Sequence, residues 1–389
     1  MKNKLKKEIT FIVTDNVEKQ CCEPIAFEAE NRGYSVKFTD NKFEKCEIGF
    51  YCSHWNFPKH SKFSVVHLHD LGQQHGEWPM PWKKEYWNIF DIALLPNQEW
   101  ADMWKNASCY DFVKPKLGAF FTGWTKADRI YEKTFSENCE KLINDYGIDL
   151  NKKTVLYAPS WEWDNRQLEI CESVKDLDVN LIIKQFPATL EVFPEQYKII
   201  NEVHQRTREQ NYKNVFILDS KTNIYDAINI CDCLVSEESS TLYEAMLLEK
   251  PVIAVTDWLV PDVKPVRLPD FPYDFAIKIP KKDLSKTIEG VFKDDEYLKK
   301  IIEYKRRNFP QLGNSAKNVM DVIDFVVEEK NLNSLKTKIA EKPSKKVPKK
   351  LKKAVNERKW ILFKYEFAHN TKLGSFLYKI HEKLKCRNQ

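Results

Sequence analysis

Residues 231–255, CDCLVSEESSTLYEAMLLEKPVIAV, constrain the fold more tightly than any other stretch of the chain. An apolar strand-like run (231–235) passes without a linker into a polar turn (236–240), then a helical run (242–248), then a second apolar strand (251–255). That order predicts a turn at the carboxyl end of a parallel sheet, the edge at which open α/β folds bind ligands. Ser239, Ser240 and Thr241 can present hydroxyls and backbone N–H groups there, at a helix N-terminus whose positive end favours phosphate. The same local pattern also fits an ordinary Ser/Thr helix cap.

The unit does not stand alone. Apolar runs at 8–14, 34–39, 47–53, 65–70 and 90–96, with a helix over about 23–32, predict one doubly wound parallel sheet. A helix near 126–146 and a turn at Gly147 lead to a second series at 154–160, 179–187, 214–220, 231–235 and 251–255, with helices continuing to about 330. The expected architecture is therefore α/β, with two Rossmann-like domains, 1–150 and 151–330, facing a cleft, and a separate segment from 331.

Charge sets that last segment apart. Residues 331–389 hold 17 Lys+Arg against 4 Asp+Glu, whereas the preceding 330 residues carry a net −8. A core of that sign argues against nucleic acid as a partner. The tail mixes lysines with Trp360, Phe363, Phe367, Phe376, Leu377 and Tyr378. This composition predicts a basic helix on an anionic membrane surface, the alternative being a helix packed on the body. The opening MKNKLKKEITFIV has no long apolar region of a signal peptide, no apolar run reaches membrane-spanning length, and no CxxC pair occurs among the ten cysteines. These point to reduced, buried thiols and a cytoplasmic protein peripheral to the inner face of the cell membrane.

Three further loops hold residues able to do chemistry. HLHDLGQQHGEWP (67–79) follows a strand; His75, between Gln74 and Gly76, is placed as a general base, with His69 and Asp70 as groups that orient it. His67 and His69 share a strand face, but no further metal ligand is evident nearby, so no metal site is expected. YAPSWEWDN (157–165) ends another strand, where Trp161 could stack on a base with Ser160 beside it on the nucleotide. Glu162 or Asp164 there could bind a hydroxyl or a metal; the alternative is an aromatic loop that seals the core. Lys184, at a similar strand edge, could neutralise a phosphate. Glu244, one turn into the helix after Ser240, could accept from ribose hydroxyls, or be simply solvated.

In order and spacing, QQHG, LGAFFTGWTKADRIY, TVLYAPSWEWD, IIKQFP and CDCLVSEESSTLYEAMLLEKPVIAV resemble the motif series of the CDP-glycerol glycerophosphotransferase family, which includes teichoic acid primases and polymerases. The resemblance covers about residues 65–260. It implies a GT-B fold, a CDP-linked donor and a lipid-linked or polysaccharide acceptor; separately, no cofactor is expected. By it, His75 matches the expected base, Ser239 and Ser240 the pair that holds the donor phosphates, and Glu244 the acidic position in the following helix. One departure stands out: Phe186 occupies the place of a histidine found before proline in many members. The expected activity is transfer of glycerol phosphate or ribitol phosphate into a cell-surface polymer. Alternatives are a GT-B glycosyltransferase using a nucleotide sugar, and a non-catalytic membrane-bound scaffold.

Overall fold

The computed structural model describes residues 4–53, 56–68, 70–71, 82, 85–270, 274–293 and 295–375. They divide into two compact units. The first comprises residues 1–69, 79–126 and 314–389; the second comprises 70–78 and 127–313.

The first unit is built on β1 (Glu8–Ile12), α1 (Asn16–Asn31), β2 (Ser35–Thr39), β3 (Cys46–Tyr51), β4 (Ser61–His67), β5 (Ile92–Leu95), α2 (Gln98–Ala107) and β6 (Ala119–Phe121). Its strands form a sheet in the order β2-β1-β3-β4-β5-β6, every pair parallel. β3, β4 and β5 are almost wholly buried, as expected of parallel strands covered on both faces, which is why they read as continuous apolar runs. α1 starts seven residues before the predicted 23–32 helix, because Asp15 caps it by accepting from the N–H groups of Val17 and Glu18, and it carries Pro24 inside.

The second unit contains α3 (Phe135–Tyr146), β7 (Lys153–Tyr157), α4 (Arg166–Val174), β8 (Val179–Ile183), α5 (Pro194–Glu209), β9 (Val215–Ile217), α6 (Ile224–Asn229), β10 (Cys233–Ser236), α7 (Thr241–Leu247), β11 (Val252–Val255), β12 (Ile277–Ile279), α8 (Leu284–Val291) and α9 (Asp295–Asn308). The predicted 126–146 helix is a 3₁₀ turn (Thr125–Tyr131) followed by α3, which ends at Gly147 with φ 65°, a left-handed cap that glycine adopts without strain. Its sheet order is β12-β11-β10-β7-β8-β9, again all parallel. The chain builds outward from β7 through β8 and β9, then returns to the other side of β7 with β10. The strand order thus reverses between β7 and β10.

After α9 the chain rejoins the first unit through α10 (Ser315–Val327), whose Val319, Met320, Val322 and Ile323 lie in one core with Ile9, Phe11 and Ile25. Beyond α10, Phe121 N–H donates to the Thr337 carbonyl and Ile339 N–H to that of Ala119, closing the β6 edge of the sheet. The basic helix is α11 (Lys349–Asn370). It packs on the first unit through buried Val355 and Leu362, an Arg358–Glu85 pair (3.1 Å), a Lys59–Glu366 pair (2.6 Å) and Tyr365 stacked on Phe57. Trp360, Ile361 and Phe363 face solvent, each about half exposed. One face of the helix thus packs on the body, the alternative raised from sequence, and the other carries exposed aromatic side chains. Phe376, Leu377 and Tyr378 lie outside the described residues.

Candidate active site

Three loops leave the same edge of the second sheet, after β7, β8 and β10, because Tyr157 sits in register with both Val235 and Ile183. Two of them flank the reversal of strand order, the position where doubly wound sheets open a crevice. The sequence-predicted Ser160–Trp161 and Ser239–Thr241 segments are those two loops. Thr241 Oγ1 donates to the Ala158 carbonyl (3.0 Å), as does Ser236 Oγ (2.8 Å).

Within the turn the three hydroxyls differ. Ser239 is buried, and its Oγ accepts from the Thr241 N–H (3.2 Å) and lies 3.0 Å from Thr241 Oγ1. Ser240 stands at the α7 cap position with helical φ −64° and ψ −19°, so its hydroxyl does not cap the helix. Among the described residues it has no side-chain hydrogen bond, and it is partly exposed. The ordinary-cap reading therefore fails for Ser240, the one hydroxyl of the three that is open to a ligand.

Two glutamates between β10 and the serines, Glu237 and Glu238, were not singled out from sequence. Glu237 is fully buried; its carboxylate accepts from the N–H groups of Ser160 (2.9 Å) and Trp161 (3.2 Å) and from the Ser160 hydroxyl, with Ser236 Oγ 3.3 Å away. Its charge is met by Arg166, 3.2 Å away and also buried, whose guanidinium donates to the carbonyls of Trp161 and Leu259. Glu238 receives both arms of Arg267 (2.7 and 2.8 Å), and Arg267 also grips Asp262. Two ion pairs, the buried Arg166–Glu237 contact and the two-armed Arg267–Glu238 pair, thus tie the anion turn to its neighbouring loops. Ser160, expected on the nucleotide, has its hydroxyl donated to Glu237.

Glu162 is not a free hydroxyl or metal ligand. It is buried and accepts from Tyr157 Oη (3.0 Å), Gln185 Nε2 (2.6 Å) and the Gln167 N–H (3.3 Å). Desolvation raises its pKa, opposed by the bonds from Gln185 and Tyr157. Lys184 is buried with Nζ 3.2 Å from the Ser220 carbonyl, on the β9 side of the sheet edge. Glu244 is 1% exposed, so the solvated alternative is excluded. Phe186 joins Trp161 and Phe193 in an aromatic trio with centroids 5.0 to 5.9 Å apart.

In the first unit, His67 is buried at the end of β4 with Nε2 3.1 Å from Thr125 Oγ1, and in the second Asp70 is partly buried. His69 and His75, the expected orienting group and base, lie outside the described residues.

A family model described as CDP-Glycerol:Poly(glycerophosphate) glycerophosphotransferase matches residues 70–324. The chain belongs to this family. Among curated glycerophosphotransferase relatives, the teichoic acid poly(glycerol phosphate) polymerase of Bacillus spizizenii is 24% identical over 60% of this chain and 58% of its own length. The teichoic acid ribitol-phosphate primase of the same organism is 28% identical over 44% of each chain. This chain thus spans about half the length of these relatives. A solved structure of the wall teichoic acid polymerase TagF superposes with a TM-score of 0.57 at 16% identity, covering 84% of this chain and 90% of that one. A UDP-GlcNAc 2-epimerase from Neisseria meningitidis reaches 0.54 at 13% identity, over 81% and 99%. Both likenesses are of fold, and this glycerophosphotransferase family member has the two Rossmann-like, parallel-sheet units of a GT-B-like fold.

Among the described residues no helix is long and apolar enough to cross a membrane.

Proposed function

We propose that this protein transfers glycerol phosphate or ribitol phosphate from a CDP-alditol to a lipid-linked or polysaccharide acceptor of a cell-surface polymer. The observation that carries the reading is the serine turn at the β7/β10 reversal, with the Ser240 hydroxyl turned to no described partner inside a family matched over residues 70–324. In this reading Ser240, with the N–H groups around it, holds the donor pyrophosphate as CMP leaves. His75 removes the proton of the acceptor hydroxyl, which attacks the β-phosphate in line. Asp70 and His69 orient that base. Lys184 adds positive charge behind the site, Glu244 shapes the pocket under the turn, and Trp161 with Phe186 and Phe193 offers an aromatic surface for the cytosine. Donation of the Ser160 hydroxyl to Glu237 makes Ser160 a group that positions the loop.

The test is CMP release from CDP-glycerol and CDP-ribitol with a lipid-linked acceptor, run beside a panel of UDP and CMP sugars. CMP formation that vanishes in His75→Ala supports the assignment. Turnover of a nucleotide sugar alone would move the chemistry to a glycosyltransferase, whereas Phe186 in place of the family histidine favours the non-catalytic scaffold. Binding of no nucleotide at all would leave only the scaffold.

The outward face of α11 is proposed to rest on the anionic inner leaflet of the cell membrane, with Trp360 and Phe363 in the acyl boundary and the lysines on headgroups. Point changes test this better than truncation, because deleting the helix would strip Arg358 from the buried Glu85 carboxylate. Trp360→Ser with Phe363→Ser is expected to lower partitioning onto anionic liposomes at least about tenfold, from the apolar area withdrawn. Unchanged sedimentation with liposomes would place the membrane contact elsewhere.

A further inference from the structure

The transfer chemistry leaves one buried cluster of reactive groups unused, at the carboxyl end of the first sheet. β3 and β4 are neighbours with Tyr51 in register with Val66, so the residues that follow, Cys52 and His67, emerge side by side. α1 crosses above them and turns Cys22 inward. Cys22 and Cys52 are fully buried and His67 is 3% exposed. The two Sγ atoms are 3.3 Å apart, and a ring nitrogen of His67 lies within 4.8 Å of both. From sequence, His67 had only His69 as a companion ligand; the fold supplies two sulfurs from distant positions.

These separations suit one metal ion. A tetrahedral zinc with Zn–S about 2.3 Å and Zn–N about 2.0 Å spaces its ligand atoms roughly 3.5 to 3.8 Å apart, a little wider than the 3.3 Å between the sulfurs and inside the 4.8 Å that bounds the group. A second observation concerns the histidine. Thr125 Oγ1 spends its proton on the Cys21 carbonyl (2.8 Å), so toward His67 Nε2, 3.1 Å away, it can only accept. Nε2 therefore carries a proton, which in the neutral imidazole puts the lone pair on Nδ1. A ring N–H anchored on a fixed acceptor is how proteins orient histidine ligands. Thiolate and imidazole together select zinc over magnesium or calcium.

We propose that Cys22, Cys52 and His67 bind one zinc ion as two thiolates and a neutral imidazole, with a water completing the tetrahedron. Binding displaces two thiol protons to solvent and involves no change of oxidation state. The ion ties α1, β3 and β4 together at the point where the 67–79 loop departs. Its role is structural, distinct from the phosphate chemistry.

The test uses the full chain purified under reducing conditions without chelator, with metal content read by plasma mass spectrometry and native mass spectrometry. About one zinc per chain is expected, surviving dialysis. It should be lost in Cys22→Ser and in Cys52→Ser and kept in Cys46→Ser. Should the serine variants fail to fold, the wild-type protein carries the test: cobalt(II) exchanged for zinc should show thiolate-to-cobalt charge transfer and the intense visible bands of a tetrahedral ion. Absence of bound zinc with no such bands overturns the site. So does a Cys22–Cys52 disulfide found by peptide mapping of the protein as isolated.

Discussion

Replacing Arg166 by methionine isolates the ion pair that holds the anion turn. Arg166 and Glu237 are 1% and 0% exposed and 3.2 Å apart. At an effective dielectric near 20, charges at that separation attract by about 5 kcal/mol, and removing one member of a buried pair usually costs about 3–5 kcal/mol. Arg166→Met strands the Glu237 charge and leaves the Trp161 and Leu259 carbonyls without their donor. Glu237→Gln strands the guanidinium instead. Each single change is expected to destabilise the second unit by about 3–5 kcal/mol, and the double change by less than their sum, with a coupling of about 1.5–3 kcal/mol. Urea unfolding followed by tryptophan fluorescence reads all four proteins, since Trp161 and Trp258 flank the pair. Nucleotide affinity should fall in both single variants, because the Trp161 backbone is held from both sides. Additivity to within about 0.5 kcal/mol, or a single cost under about 1 kcal/mol, would refute the clamp.

Ser239→Ala and Ser240→Ala should separate structure from binding. The first loses the acceptor for the Thr241 N–H and about 1 kcal/mol of stability; the second leaves the melting temperature unchanged and weakens CDP binding about tenfold by calorimetry. Equal effects of both on melting would contradict the assignment. His204, on α5, has its pKa lowered to about 4 by burial and by Arg208. The unfolded chain therefore binds the extra proton first, so stability is full above pH 6.5 and declines as pH falls toward 4, by about 1–2 kcal/mol for a partly exposed ring. His204→Gln should flatten that slope in pH-dependent unfolding; an unaltered slope would locate the titration in another group.

The strands and the 231–255 unit were legible because parallel strands covered on both faces are written as apolar runs, and the prediction there matches β10, α7 and β11 to within about two residues. The course of the chain was less so. Periodicity shows that 315–327 is a helix but not which sheet it covers, and the pairing of Thr337 and Ile339 with β6 depends on partners more than two hundred residues away. In the site, the serine turn was visible as a motif, whereas nothing in the sequence marks Glu237 and Glu238 apart from other polar turn residues. Arg166 and Arg267, brought in by the fold, supply the charges that meet them. Likewise Cys22 and Cys52 carry no spacing signature, since their nearness arises from α1 crossing β3.

The return of α10 to the first sheet has a consequence for synthesis on the ribosome. The second unit is nearly continuous from residue 127 to 313 and can close its core as soon as that length has emerged. The first unit cannot: until residues 314–339 are made, the α10 side of β1 and β3 is bare and the β6 edge unpaired. The nascent amino-terminal sheet must therefore wait, sticky and incomplete, through translation of more than two hundred residues, at about 5–20 residues per second. Chaperone demand and truncation damage should concentrate there, in the half that is begun first and finished last.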